Sequence, residues 1–169
     1  MFVTVGTTEF EMLVSAVTSK LALEWMVSCG YKKLKIQYGK GVKPITDTGG
    51  LPIVIETYDF LPSLDKDMRD ADLIVSHAGA GTVMEALRLQ KKLIVVINTL
   101  LMNNHQTELA AAMSNRGNLF MVEKPEDLDD AQVWASFKDF VPVVHEGGDE
   151  TDFPRLLESF LGFETSKDA

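Results

Sequence analysis

Two short glycine-containing segments have the composition of anion-binding turns. Gly6, Thr7 and Thr8 follow a short apolar run, and a helical pattern begins shortly after them. The second segment, Ser76–Glu85, has the sequence SHAGAGTVME, with small residues at positions 78–81. Glycine lets a ligand approach the backbone, and amides at the start of a helix favour negative charge. Both segments therefore predict contact with an anion such as a diphosphate, although such residues also serve turn geometry and capping alone.

The carboxylate of Glu85 lies one turn into the helix predicted after the second segment. In that position it can accept hydrogen bonds from both hydroxyls of a ribose, or it can simply interact with the helix dipole. The segment is not the dinucleotide fingerprint, because Met84 stands where the third glycine belongs, and it lacks the lysine of a Walker A motif. A dehydrogenase is therefore the least favoured enzyme class.

A third polar cluster begins the next predicted helix. Asn104, His105 and Gln106 follow the apolar run Leu93–Ile97. Amide and imidazole groups both donate and accept hydrogen bonds, as recognition of sugar hydroxyls requires. An asparagine at this place can also be an ordinary helix cap, whereas His105 and Gln106 together favour ligand binding.

These three segments need a scaffold of alternating strands and helices. Aliphatic runs without strict alternation, separated by helical patterns, predict parallel strands buried on both faces. We expect an α/β fold with a doubly wound, mostly parallel Rossmann-like sheet and a ligand site where the strand order reverses. The predicted strands are Phe2–Val5, Leu34–Tyr38, Ile53–Tyr58, Leu73–Ser76, Leu93–Ile97 and Leu119–Val122, and the predicted helices are Phe10–Ser28, Leu64–Arg69, Thr82–Leu89 and Asn104–Asn115.

Two predicted helices carry more apolar surface than one contact needs. Phe10–Ser28 has apolar stripes on two sides, which a central position in this domain or a partner surface would cover. Asp152 and Pro154 can begin a C-terminal helix over about 152–162 that has one apolar face. That face predicts packing on the chain's own sheet or docking on another subunit. Residues Pro125–Asp130 are predicted to form an acidic connection.

Composition predicts one globular domain over residues 1–169. The chain is 46% apolar and 24% charged, and its longest aliphatic run has only five residues, which predicts no membrane span. Residues 1–122 contain 12 basic and 12 acidic side chains, whereas residues 123–169 contain 4 basic and 13 acidic ones. Such a tail disfavours nucleic-acid binding, although it can be merely a solvated surface. A lone cysteine, Cys29, fits a reducing cytoplasmic location and no cysteine-rich metal site.

The order of the three motifs VTVGTT, SHAGAGTVMEAL and MNNHQTELA resembles one protein family. It is similar to the C-terminal, donor-binding half of the GT-B, family 28 type glycosyltransferases, which include the bacterial lipid-linked peptidoglycan N-acetylglucosaminyltransferase. The resemblance is strongest to the small soluble subunits of dolichol-linked oligosaccharide synthesis in protein N-glycosylation. It implies one half of a GT-B fold and transfer of N-acetylglucosamine from UDP-N-acetylglucosamine to GlcNAc-diphospho-dolichol. No cofactor is expected, and the sequence offers no convincing cluster of Asp, Glu and His for a bound metal, although metal dependence itself stays open.

The same resemblance implies a role for each motif. Glu85 would bind the ribose, and backbone groups of Phe60 and Leu61 would hold uracil. Asn104, His105 and Gln106 would contact the sugar, and His77 would bind the sugar or diphosphate. The residues implied for the diphosphate of UDP are Gly6, Thr7, Thr8, Gly79, Ala80, Gly81 and Thr82.

The resemblance also implies what this chain lacks. Single-chain relatives carry an N-terminal domain with the acceptor site, the membrane contact and the catalytic base, whereas this sequence begins directly with the donor half. We therefore expect a heterodimer with a membrane-anchored, acceptor-binding subunit that recruits this chain to the cytosolic face of the endoplasmic reticulum. The catalytic base is expected in the partner, with His77 a weaker candidate or a buried structural imidazole. The alternatives are a non-enzymatic UDP-sugar-binding regulatory subunit and a UDP-sugar epimerase-like enzyme.

Overall fold

A six-stranded parallel sheet forms the centre of the molecule. The structure is a computed structural model that describes residues 1–98 and 104–145, with side chains for all of these except residues 104–106. The strand order is β3-β2-β1-β4-β5-β6, and every neighbouring pair is parallel. The predicted doubly wound α/β fold is therefore confirmed. The strands are β1 (Phe2–Thr4), β2 (Lys33–Gln37), β3 (Val54–Tyr58), β4 (Leu73–His77), β5 (Lys92–Val96) and β6 (Phe120–Val122).

Helices cover both faces of this sheet. The first, second and sixth helices share a core with one face, and the third, fourth and fifth share a core with the other. Covering both faces explains why the inner strands are continuous apolar runs rather than alternating ones. The helices are α1 (Glu11–Val17), α2 (Lys20–Ser28), α3 (Asp65–Asp70), α4 (Ala80–Arg88), α5 (Asn104–Asn115) and α6 (Ala131–Asp139), and a short 3₁₀ helix spans Pro125–Asp129.

The prediction of one helix over Phe10–Ser28 is wrong, because the helix breaks at Thr18 and Ser19. The Thr18 hydroxyl donates to the carbonyl of Val14 (2.9 Å) at the end of α1. The Ser19 side chain accepts from the amide of Ala22 (3.3 Å) and so caps the start of α2. Local hydrogen bonds of serine and threonine thus outweigh the continuing apolar pattern.

This break accounts for most of the two apolar stripes of the predicted helix. Leu13 and Val17 on α1 are buried, as are Leu23 and Met26 on α2, all in the same core. The residues of both stripes are divided between two separate helices, each of which buries its apolar residues in this core. The second stripe consists of Met12, Ala16, Leu23 and Met26, and of these only Met12 is exposed. A partner surface is not needed to explain the pattern.

The region after β6 is more ordered than the predicted acidic connection. Pro125–Asp129 forms the 3₁₀ helix, and the side chain of Asp130 accepts from the amide of Gln132 (2.8 Å) to cap α6, which the sequence analysis missed. Trp134 anchors α6, since its indole is buried and stacks on Trp25 with ring centroids 4.5 Å apart. The helix predicted over about 152–162 lies outside the described residues. Within residues 1–98 and 104–145, no helix is long and apolar enough to cross a membrane.

Candidate functional site

The two predicted glycine turns lie side by side at the carboxyl edge of the sheet. The strand order reverses between β1 and β4, which are neighbours with Thr4 opposite Ser76. Gly6 follows β1 and Gly79 follows β4, so both turns lie at this switch point. Open α/β sheets bind ligands in the crevice formed at such a position. The fold therefore brings together the two segments that the sequence predicted to bind an anion.

The imidazole of His77 fills the space between the two turns. A Cβ atom on Gly6 would lie 2.7 Å from Cε1 of His77, and one on Gly79 would lie 2.5 Å from its Nε2. Gly6 also has a φ of +63°, which L-residues with a side chain rarely adopt. Both glycines are therefore required for the close contact with this imidazole. The requirement is independent of any ligand.

Burial changes the ionisation of His77. Desolvation lowers the pKa of His77 below its usual value, and a contact with the backbone of Thr4 only partly opposes this. The imidazole is therefore neutral at pH 7, with one hydrogen-bond donor and one acceptor. Its buried Nδ1 has no hydrogen-bond partner among the described residues. The ring thus brings no fixed charge to the site, and its unpaired Nδ1 is not accessible to solvent.

The turn after β1 is closed by its own hydrogen bonds. The amide of Gly6 donates to Thr4 Oγ1 (3.1 Å), and the hydroxyl of Thr8 donates to the carbonyl of Val5 (2.7 Å). Helix α1 begins only at Glu11 and carries that carboxylate in its first turn. Because α1 starts three residues after Thr8, close to the predicted start at Phe10, its first-turn amides do not belong to this turn. Thr7 is the exposed residue of the turn.

The turn after β4 is open by comparison. Gly79 is the N-cap of α4 and offers no side-chain cap, and no acidic residue occupies the first helical turn. The amides of Ala80, Gly81 and Thr82 have no acceptor within the described part of the chain. A Cβ atom on Gly81 would meet nothing within 4 Å. Unsatisfied amides at a helix start, with free space above them, can bind an anion.

Glu85 lies one turn further along α4 and is half-buried. Its carboxylate makes no ion pair or hydrogen bond with any residue that the structure describes. The charge of Arg69 lies near enough to interact with Glu85, but a half-buried carboxylate without a hydrogen-bond partner is still available to accept hydrogen bonds from hydroxyl groups. This geometry is compatible with the predicted role in ribose binding.

A cleft of about 650 Å³ borders the closed turn. Phe60 reaches it from the segment after β3, where Phe60 and Leu61 are exposed. Glu85 and the residues of the open turn do not line this cleft, but His77 contacts the glycines of both turns. The lining residues are Gly6, Thr7, Tyr38, Gly39, Lys40, Gly41, Lys43, Asp59 and Phe60.

The predicted sugar-binding cluster is only partly described. Helix α5 begins at Asn104, so Asn104, His105 and Gln106 occupy its first turn. Strand β5 pairs with β4, and α5 packs beside α4. Parallel pairing places the start of α5 at the same carboxyl edge of the sheet as the open turn, while the contacts of these side chains remain a prediction.

Sequence analysis missed Gln37, which lies beneath the site. Its side chain is 1% exposed and donates to the carbonyls of Gly6 (2.6 Å) and Asp59 (2.7 Å). It also missed Lys40 and Lys43, which line the cleft. The sequence did contain a signal for Gln37, because it is a polar residue at the carboxyl end of a buried strand. A buried amide there must find hydrogen-bond partners nearby.

Comparisons with known proteins agree with the fold and the motifs. The family model described as "Glycosyltransferase family 28 C-terminal domain" matches residues 1–133. The human "UDP-N-acetylglucosamine transferase subunit ALG13" is 43% identical over 119 residues, which are 70% of this chain and 10% of that protein. The protein of the same name from Yarrowia lipolytica is 28% identical over 160 residues, covering 94% of this chain and 82% of its own length.

A solved structure gives the same result. The solution NMR structure of ALG13 superposes with a TM-score of 0.64 at 28% identity, and the match covers 92% of this chain and 93% of that one. The chain spans only about a tenth of the human and mouse relatives, whereas it spans most of the Yarrowia protein. The resemblance inferred from the three motifs is confirmed, and the chain belongs to the family of the glycosyltransferase family 28 C-terminal domain.

Proposed function

We propose that this chain is the donor-binding subunit of a UDP-N-acetylglucosamine transferase. The observation that carries the proposal is the open turn at the end of β4, where free amides, the neutral imidazole of His77 and the carboxylate of Glu85, which has no hydrogen-bond partner among the described residues, occur within one segment of the chain. Membership of the glycosyltransferase family and relatives named as transferase subunits support the same function. The proposed reaction transfers N-acetylglucosamine to GlcNAc-diphospho-dolichol.

In this proposal the open turn holds the diphosphate of the donor. Amides of Ala80, Gly81 and Thr82 would face the negative charge that grows on UDP as the glycosidic bond breaks. Fixed dipoles aimed at developing charge are commonly the largest contribution to catalysis. His77 would donate a hydrogen bond to the same group, and Glu85 would accept the ribose hydroxyls.

The remaining parts of the donor would lie on either side of the diphosphate. The backbone of Phe60 and Leu61 would hold uracil, and Asn104, His105 and Gln106 would contact the sugar. Thr7 is the exposed donor of the closed turn, so it would contribute a hydroxyl and an amide. Gly6 and Thr8 would shape that turn rather than bind the ligand directly, since their polar groups are engaged.

The acceptor and the base would come from a second, membrane-anchored chain. Relatives of this chain are named as subunits, which implies a partner. We propose that the partner recruits the chain to the cytosolic face of the endoplasmic reticulum and supplies the base that deprotonates the attacking hydroxyl. Closing the partner over the carboxyl edge would also exclude water from the donor.

Binding and turnover measurements test this proposal separately. We expect the purified chain to bind UDP and UDP-N-acetylglucosamine more tightly than ADP in titration calorimetry. We further expect transfer to a lipid-diphosphate acceptor only after the membrane-anchored partner is added. Binding without partner-dependent transfer would favour a regulatory subunit, and full turnover by the chain alone would contradict the division of labour.

A further inference from the structure

Gln37 connects two separate loops of the carboxyl edge through a single buried side chain. It ends β2, and its Nε2 donates to the carbonyl of Gly6 at 2.6 Å and to the carbonyl of Asp59 at 2.7 Å. Its Oε1 accepts from the hydroxyl of Thr4 at 2.6 Å. Thr4 Oγ1 in turn accepts from the amide of Gly6. Every donor of this amide is therefore used, and both donors go to backbone carbonyls of loops.

The surrounding backbone makes the connection rigid. The amide of Gly39 also donates to the carbonyl of Asp59, and the amide of Lys40 donates to the carbonyl of Thr8. A Cβ atom on Gly39 would lie only 2.3 Å from that Thr8 carbonyl oxygen. The three loops after β1, β2 and β3 are thus in direct contact. A shift of one requires the others to move.

Only an amide satisfies the partners of Gln37. A glutamate would place a carboxylate oxygen against two carbonyl oxygens, and a methionine would leave those carbonyls and the Thr4 hydroxyl without this partner. Thr4 and Gln37 are both fully buried, so water cannot readily replace the lost hydrogen bonds. The residue type is therefore determined by the two loops rather than by apolar packing.

We infer that Gln37 is a positioning residue that fixes the segment Asp59–Leu61 against the turn Gly6–Thr8. It thereby couples binding of the base to binding of the diphosphate. This inference rests on the proposed function, in which Phe60 and Leu61 hold uracil and Thr7 contacts the diphosphate. Gln37 itself is buried beneath both loops and acts through them.

The affinities of two ligands test this coupling. We expect Gln37→Met to raise the Kd of UDP about tenfold, the size of one net buried hydrogen bond. The same variant should change the Kd of inorganic pyrophosphate less than about twofold, because pyrophosphate does not need the base segment. Thr4→Val removes the hydroxyl that holds the Gln37 amide, so it should give a smaller loss for UDP and carries the test if Gln37→Met does not fold.

Backbone amide shifts reveal the coupling directly. In the wild-type chain, pyrophosphate should shift the ¹⁵N–¹H signals of Thr7 and also those of Phe60 and Leu61. In Gln37→Met the shift of Thr7 should remain and those of Phe60 and Leu61 should disappear. Asn118→Leu is the matched control, because it likewise replaces a buried amide by an apolar side chain of similar size, here one that donates to the carbonyl of Val143 (3.1 Å) at the opposite edge of the sheet. It should leave both ligands unaffected.

The outcomes separate this inference from the proposed function. Failure of the wild-type chain to bind UDP would contradict the proposed function. If the wild-type chain binds UDP, unchanged UDP affinity in folded Gln37→Met or Thr4→Val overturns the coupling. Equal losses for UDP and pyrophosphate also overturn it, because they would mean that Gln37 only maintains the fold. In the unliganded chain, faster hydrogen exchange at Gly6 and Phe60 in Gln37→Met, but not in Asn118→Leu, tests the connection without any ligand.

Discussion

The two glycine turns at the carboxyl edge share a sequence pattern but differ in their hydrogen bonding. Both follow a central strand and both press a glycine against His77. In the turn after β1, Gly6 and Thr8 use their polar groups within the turn and the neighbouring strand. In the turn after β4, the first amides of α4 remain without an acceptor among the described residues. Gly6 and Thr8 are thus engaged within the fold and leave Thr7 as the part of the first turn that is open to a ligand, whereas the second turn offers three free amides.

This difference shows why a glycine turn in a sequence is weak evidence for an anion site. The helix behind the first turn starts late and carries Glu11, which disfavours an anion near its amino end. The helix behind the second turn starts directly at Ala80, with a glycine N-cap and no acid in its first turn. A glycine turn is therefore evidence for an anion site only where free helix amides follow it directly, as they do after β4 but not after β1.

The largest expected effect concerns Gly6, as a test of the scaffold role. Gly6→Ala introduces a positive φ for alanine and a contact of 2.7 Å with His77. We expect it to lower the free energy of unfolding by about 2–4 kcal/mol, from backbone strain and overpacking. Gly81→Ala is the control, because its Cβ would meet open space, and we expect a change below about 1 kcal/mol. Urea denaturation measures both, and equal losses would contradict the contrast.

The next effect concerns the carboxylates that follow each turn. Glu85→Gln should weaken UDP binding by about tenfold to a hundredfold, since a charge-assisted hydrogen bond to the ribose is lost. Its thermal stability should hardly change, because Glu85 has no ion pair or hydrogen bond in the described part of the chain. Titration calorimetry with UDP gives the affinity.

Glu9→Gln is the matched control for this carboxylate. Glu9 is exposed and follows the closed turn, so its removal should leave UDP affinity unchanged or slightly improved. Similar losses in the two variants would mean that only net charge matters. Unchanged affinity in folded Glu85→Gln would remove Glu85 from the proposed site.

A comparison of sequence with structure explains which parts of the site were predictable. The two turns and their neighbouring strands follow from local patterns, since glycine, threonine and aliphatic runs act over a few residues. Gln37 was not predictable in this way, because its two carbonyl partners lie 31 and 22 residues away in the chain. The break at Ser19 was hidden by an apolar pattern that continues through it. Helix α6 was missed although its sequence carries the signals of a helix, with the Asp130 cap and with Val133 and Phe137 one turn apart.

A smaller effect distinguishes the threonine hydroxyls of the two turns. Thr8→Val removes the bond to the Val5 carbonyl and should lower the free energy of unfolding by about 1 kcal/mol, with UDP affinity unchanged within about twofold. Thr82→Val should do the reverse, because its hydroxyl has no partner among the described residues. We expect about a fivefold loss of UDP affinity and little loss of stability. Urea denaturation measures the stability of both variants, and calorimetry measures their UDP affinity. If the two turns had the same role, both variants would lose the same property.

The smallest expected effect is the pH dependence that His77 adds, because only one proton is involved. Since burial lowers the folded-state pKa of His77, the unfolded chain binds more protons than the folded chain in mild acid. The contribution of His77 to the free energy of unfolding is therefore complete above its unfolded-state pKa of 6.5. It is lost as the pH falls from 6.5 towards the lower folded-state pKa. His77→Gln keeps a polar side chain that does not titrate, so its free energy of unfolding should fall less between pH 7 and pH 5 than that of the wild type. Urea denaturation at both pH values gives the difference. An equal decrease in the free energy of unfolding in both proteins would mean that the imidazole is solvated rather than buried. The close contact of His77 with Gly6 and Gly79 would then be wrong.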